Sequence, residues 1–196
     1  MPLPRSKPAL LSLAACAAGA LLLLGAILLQ SGRVPVSAAA AVGGPFALVD
    51  QDGRPVTEAA YKGRPFVVFF GYTHCPDFCP TTLSDMTLTL DALGPAATVP
   101  ALFVTVDPER DTSAVLKQYL SSFDPRIVGL TGDAAAVAAA ERSFRVYARK
   151  GEVLPDGRYT MDHTAVVYLM GRDGTFLSAL DLSRPKEAAA TIARAL

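Results

Sequence analysis

The stretch that most constrains this chain runs from Phe66 to Thr82, FVVFFGYTHCPDFCPTT. Phe66 to Phe70 is an unbroken apolar run, β-branched and aromatic, and short enough for a strand buried on both faces. Gly71 and Tyr72 end that pattern, and Cys75 and Cys79 follow with three residues between them. Pro80 stands where a helix begins, because its fixed φ and missing N–H suit a first helical turn. Leu83, Met86, Leu90 and Leu93 then recur at helical spacing. Buried strand, cysteine loop, helix is therefore the local order. It places sulfur at a helix N-terminus, where the dipole and unpaired N–H groups favour the thiolate, the form that attacks disulfides and binds metals.

Eighteen basic and eighteen acidic residues cancel, so no global field points to nucleic acid. Three cysteines exclude a disulfide framework, and a single pair in the soluble part suggests a site. Ahead of it, Ala9 to Leu29 carries no charge and is long enough, at about 1.5 Å per residue, to cross a bilayer core of roughly 30 Å. Arg5 and Lys7 precede it, which favours a cytoplasmic N-terminus over 1–8 and a retained anchor over 9–29. Two other readings compete: cleavage among the small residues Ala38 to Ala40, and lipidation at Cys16, where Leu13-Ala14-Ala15-Cys16 resembles a bacterial lipobox. Residues 30–44 read as a linker, and 45–196 as one domain.

Within that domain, Phe46 to Thr57 reads as a hairpin turning at Asp52-Gly53. Val99 to Val106 is a second buried strand, followed by a helix that Asp111 or Thr112 can cap. A strand over 127–130 and an alanine-rich helix over 134–143 come next. Phe144 to Lys150 alternates like a strand, and Thr164 to Met170 reads as one long strand. Gly171 to Gly174 turns the chain into a partner strand over 175–180, and a last helix covers 185–196. Strands alternating with helices make an α/β sheet with helices on its faces, and ligands in such sheets sit at the carboxyl ends of strands. Cys75 and Asp107 each lie just past such an end.

Three motifs, taken in order, carry a resemblance. Gly71-Tyr72-Thr73-His74-Cys75-Pro76-Asp77-Phe78-Cys79-Pro80, Val106-Asp107-Pro108-Glu109-Arg110-Asp111-Thr112 and Asp162-His163-Thr164 together resemble the Sco/SenC family of thioredoxin-like copper proteins. The resemblance runs from about Phe46 to Leu196, and an anchor in front is usual for the family. It implies a thioredoxin-like sheet with flanking helices, copper as the metal, and Cys75, Cys79 and His163 as its ligands. It also implies a part in assembling the binuclear copper centre of cytochrome c oxidase, as copper carrier, as thiol reductant, or both. The partners implied are the oxidase's copper-bearing subunit, an upstream periplasmic copper donor, and the membrane. The location implied is the inner membrane, single-pass, with the soluble domain in the periplasm.

Two thiolates and an imidazole form a soft site suited to copper, whereas structural zinc takes four ligands and the sequence offers no fourth cysteine or third histidine. The competing reading is a thiol–disulfide oxidoreductase or redox sensor acting through a Cys75–Cys79 disulfide. Against it, the thioredoxin signature has two intervening residues, and thioredoxin-like oxidoreductases resemble one another in a cis-proline whose place here holds His163. His74 and Asp162, each next to a ligand in extended chain, should point away from the site. Asp107 reads as a strand terminator and Met161 as packing. Arg142, Arg145, Arg149 and Lys150 read as a solvated face.

Overall fold

A computed structural model describes residues 42–196. The expected N-terminus, anchor and most of the linker therefore lie outside the described residues, and among those described no helix is long and apolar enough to cross a membrane. The described chain holds nine strands and four α-helices. The strands are β1 (Ala47–Asp50), β2 (Pro55–Thr57), β3 (Phe66–Gly71), β4 (Ala101–Thr105), β5 (Ile127–Thr131), β6 (Ala148–Lys150), β7 (Met161–His163), β8 (Val167–Met170) and β9 (Phe176–Leu180). The helices are α1 (Phe78–Leu93), α2 (Ser113–Leu120), α3 (Ala134–Phe144) and α4 (Pro185–Ala193).

Seven strands form a mixed sheet in the order β2-β1-β5-β4-β3-β8-β9. β3, β4 and β5 run parallel at its centre, and the flanking pairs are antiparallel. Every residue of β3 and β4 is buried, as their continuous apolar sequences require. Helix α1 packs against α4, α2 against β5, and α3 against β1. Phe69, Phe70, Phe103 and Phe144 are all but inaccessible and fill the interior. This is the α/β, thioredoxin-like arrangement expected. It brings the carboxyl ends of β3 and β4 side by side, with Gly71 opposite Thr105.

Three elements differ from the sequence reading. The linker was expected to reach residue 44, but the Gly43 N–H donates to the Ser143 carbonyl, so the domain begins earlier. Phe144 was expected to open a strand. It instead ends α3, because Arg145 adopts φ 57 and turns the chain. The Val146 N–H then returns to Glu141 O and the Arg145 N–H to Arg142 O, a Schellman closure with Val146 buried beneath it. Apolar residues on both sides of a helix end mimic a strand's alternation. The third difference is the long strand expected over 164–170: only its second half, β8, is strand, and the separate short β7 precedes it. β7 pairs only with β6, β8 pairs with β3 and β9, and Thr164 to Val166 step between the two sheets.

Candidate metal centre

The site is assembled at the carboxyl end of β3. Gly71 closes that strand, and a side chain there is forbidden by its neighbours: an added Cβ would stand 2.7 Å from the Phe103 ring and 2.9 Å from Cys79 Sγ. Cys79 reaches this position from inside the first turn of α1, which starts at Phe78, two residues ahead of the expected Pro80. Pro80 is tolerated there because the first N–H groups of a helix have no intrahelical acceptor in any case.

Helix α1 has no side-chain cap from Asp77. The role falls to Cys75, whose Sγ accepts from the Cys79 N–H at 3.3 Å and faces the N–H groups of Asp77 and Phe78. Its surroundings give the two thiols opposite characters. For Cys75, partial burial pushes the pKa up, but the N–H groups at the helix entrance outweigh it and hold the thiol below its ordinary value. For Cys79, burial pushes the thiol far up; the Cys75 charge and Asp111 push the same way, against one favourable N–H from Tyr72. Cys75 is half-buried and Cys79 is fully buried, and both sulfurs are free.

His163, the last residue of β7, comes from a separate two-stranded sheet. Its Nδ1 lies 3.1 Å from the Thr164 carbonyl. A carbonyl only accepts, so the proton sits on Nδ1 and the lone pair of the neutral ring on Nε2. That lone pair faces Cys79 Sγ at 3.8 Å. The Tyr72 ring stands edge-on to the imidazole, centroid to centroid 5.8 Å, and fixes its tilt. As they stand, no three His, Cys, Asp or Glu side chains among the described residues close around a metal position.

The remaining sequence candidates fall where expected. His74 is exposed, with Nδ1 on the Thr73 hydroxyl at 3.0 Å, and Asp162 is exposed and faces Arg149. Met161 packs against the core. Arg142, Arg145, Arg149 and Lys150 are exposed. Asp107 is buried and does more than end β4: it holds Arg110 through Nε and accepts from the Tyr159 hydroxyl at 2.8 Å.

The residue that sequence reading missed is Asp111. It was a candidate cap for α2, but Thr112 takes that role, accepting from the Val115 N–H. Asp111 is fully buried beneath the cysteine loop. Its carboxyl group accepts from the Thr73 N–H at 3.0 Å, the Thr73 hydroxyl at 2.6 Å and the Thr105 hydroxyl at 2.7 Å. Its carbonyl accepts from Thr131. The cysteine loop is thus pinned to the ends of β4 and β5. The only sequence signal was its place in the quoted motif, since a buried Asp and a capping Asp look alike in one dimension.

The SCO1/SenC family model matches residues 35–196. The chain belongs to the SCO1/SenC family. Among curated SCO1/SenC relatives, the human mitochondrial SCO1 homolog is 40% identical over 156 residues, 78% of this chain and 52% of the relative. The chain spans about half the length of the curated relatives it matches first. Two solved structures share the fold: Bradyrhizobium japonicum ScoI with copper bound and yeast Sco1 with copper bound. The first is 56% identical with a TM-score of 0.76, covering 80% of this chain and 100% of that one. The second is 39% identical with a TM-score of 0.73, covering 79% and 87%.

Proposed function

We propose that this chain is a copper metallochaperone for the binuclear copper centre of cytochrome c oxidase, holding copper between Cys75, Cys79 and His163. The observation that carries the reading is the convergence of those residues from a loop, a helix and a separate ribbon on one sheet end. There His163 Nδ1 lies 3.1 Å from the Thr164 carbonyl, leaving Nε2 facing Cys79 Sγ at 3.8 Å. Copper-bound relatives at 56% and 39% identity support copper as the cargo. Two soft thiolates suit Cu(I), and the added imidazole suits Cu(II). Cys79 is deep and Cys75 shallow, so Cys75 is the ligand an incoming partner reaches first, and Cys79 with His163 holds the ion until the partner's ligands replace them. On this reading residues 9–29 anchor the chain in the inner membrane, and the domain works in the periplasm on the oxidase's copper-bearing subunit, loaded by an upstream donor.

A second reading is favoured by the asymmetry of the thiols. A shallow, readily ionised Cys75 beside a buried Cys79 is the pattern of a dithiol reductant. Cys75 thiolate attacks one sulfur of a partner disulfide, and the other sulfur leaves as thiolate. Cys79, deprotonated, then attacks Cys75 and frees the second partner thiol, leaving a Cys75–Cys79 disulfide; two electrons pass to the partner.

Anaerobic titration of the reduced full chain with Cu(I) and Cu(II) separates the two. The chaperone reading expects one copper per chain, with Cu(II) binding lost in His163→Ala and all tight binding lost in Cys79→Ser. If His163→Ala binds Cu(II) as the parent does while a partner disulfide is still reduced, the second reading stands.

A further inference from the structure

The strand that presents His163 has no ladder bond to the main sheet, since β6 and β7 pair only with each other. A two-stranded ribbon alone is marginal in water, so side-chain contacts have to place it. Several of them converge on Tyr159, just ahead of β7. Its hydroxyl donates to Asp107 Oδ1 at 2.8 Å, and its carbonyl accepts from Arg110 Nη1 at 3.1 Å. Two cations lie over its ring, with Arg110 Cζ 3.5 Å and Lys150 Nζ 4.1 Å from the centroid. Arg110 is itself held by Asp107, and Lys150 by Glu109 at 2.6 Å. Asp107, Glu109 and Arg110 stand on the loop after β4, so the main sheet holds the ribbon through Tyr159 together with the Lys150–Glu109 pair and the packing of Ala148 and Met161 on the core. Arg110 also lies 5.7 Å from the Tyr72 ring, which in turn sets the tilt of the His163 imidazole.

We propose that Tyr159 and Arg110 are positioning residues for His163, forming a latch that holds its imidazole against Cys79 and so decides whether the centre offers three ligands or two. The inference rests on His163 being a ligand, and it adds the regulation of that ligand. Because Cu(II) needs the nitrogen and Cu(I) stays on two thiolates, the latch sets the relative hold on the two oxidation states without touching the metal.

The test uses the reduced full chain. In the metal-free protein, NMR contacts between the His163 and Tyr72 rings report the placement directly. They are expected to be lost in Tyr159→Ala while amide protection of β3 and β4 stays as in the parent. They should be only weakened in Tyr159→Phe, which keeps the ring under Arg110 and loses the bond to Asp107. With copper, Tyr159→Ala should weaken Cu(II) binding about tenfold and Cu(I) binding less than about threefold, through the loss of two cation–π contacts and one charged hydrogen bond. Should Tyr159→Ala fail to fold, Arg110→Lys, which keeps the charge and loses the planar fork, is read in the same way. Ring contacts that persist in the metal-free variant overturn the proposal. So does an equal fall for Cu(I) and Cu(II). If the contacts are lost but His163→Ala binds Cu(II) like the parent, the latch stands and the ligand assignment falls.

Discussion

At the scale of single residues, the site depends on groups that carry opposite electrostatic assignments within a few ångströms. The depressed Cys75 thiol and the elevated Cys79 thiol act on stability with opposite signs. Cys75 contributes stability that is present above the ordinary thiol value of about 9 and is lost as pH falls through its own lower pKa. Cys79 stays protonated in the fold, so its contribution is full below about 9 and disappears as pH rises further and the unfolded thiol ionises. Urea unfolding of the reduced, metal-free chain should therefore show stability rising towards pH 9 and falling beyond it. Cys79→Ser should remove the fall near 9 and leave a later one, since burial also raises Tyr61 to about 12 against an unfolded value near 10. A reduced parent whose stability is flat from pH 7 to about 10 contradicts the assignment of the two thiols. Asp111 gives a second prediction at this scale. Asp111→Ala strands the Thr73 N–H and removes the acceptor for the half-buried Thr73 and buried Thr105 hydroxyls, at a cost of about 3 kcal/mol in the same assay. Loss of under about 0.5 kcal/mol would show that the loop is held by something else.

At the scale of elements, the entrance of α1 joins folding to chemistry. Because the sulfur of Cys75 serves as the helix cap, Cys75→Ala should destabilise the metal-free chain by about 1 kcal/mol, and Cys75→Ser should recover part of it. Equal stability of the two variants, by denaturant midpoint, would remove sulfur from the capping role. How far such features were legible in the sequence follows from the interactions that make them. β3 and β4 could be read because burial on both faces leaves a continuous apolar run, and α1 because Leu83, Met86 and Leu90 repeat at helical spacing. The cysteine pair announced itself by position between them. The end of α3 was misread since Phe144 and Val146, buried on either side of a left-handed residue, give the same alternation as a strand. The late start of β8 was invisible because no turn residue marks Thr164 to Val166, where the chain leaves the β6–β7 ribbon for the main sheet. Asp111 was hidden for a related reason. Its three donors come from Thr73 and Thr105, and that meeting exists only once β3 and β4 lie side by side.

At the scale of the whole molecule, the proposed copper site and the point where the described chain begins lie at opposite ends of the sheet. Gly43 packs against Met170 and Gly174, and Met170 pairs with Phe66, the first residue of β3. Cys75 and Cys79 lie beyond Gly71, the last. β3 rises about 3.3 Å per residue, so roughly 17 Å of sheet separates Phe66 from Gly71. On the proposed function, a domain anchored ahead of residue 30 has to present its far end to a membrane-bound partner, and the reach for that would have to come from residues 30–44, rich in small and turn-forming residues. A flexible linker's reach grows as about 5–6 Å times the square root of its length, so halving it cuts reach by roughly a third. Removing residues 34–39 from the full chain should thus leave copper stoichiometry and affinity as in the parent, because every proposed ligand lies in the domain. Oxidase activity under limiting copper, in cells with the variant as their only copy at matched expression, should fall several-fold. Replacing the deleted stretch with a glycine-serine segment of the same length should restore it, since length and not sequence is the requirement. If the shortened chain supports full oxidase activity, or the glycine-serine chain fails to, reach is not what the linker supplies, and the site must meet its partner by another geometry.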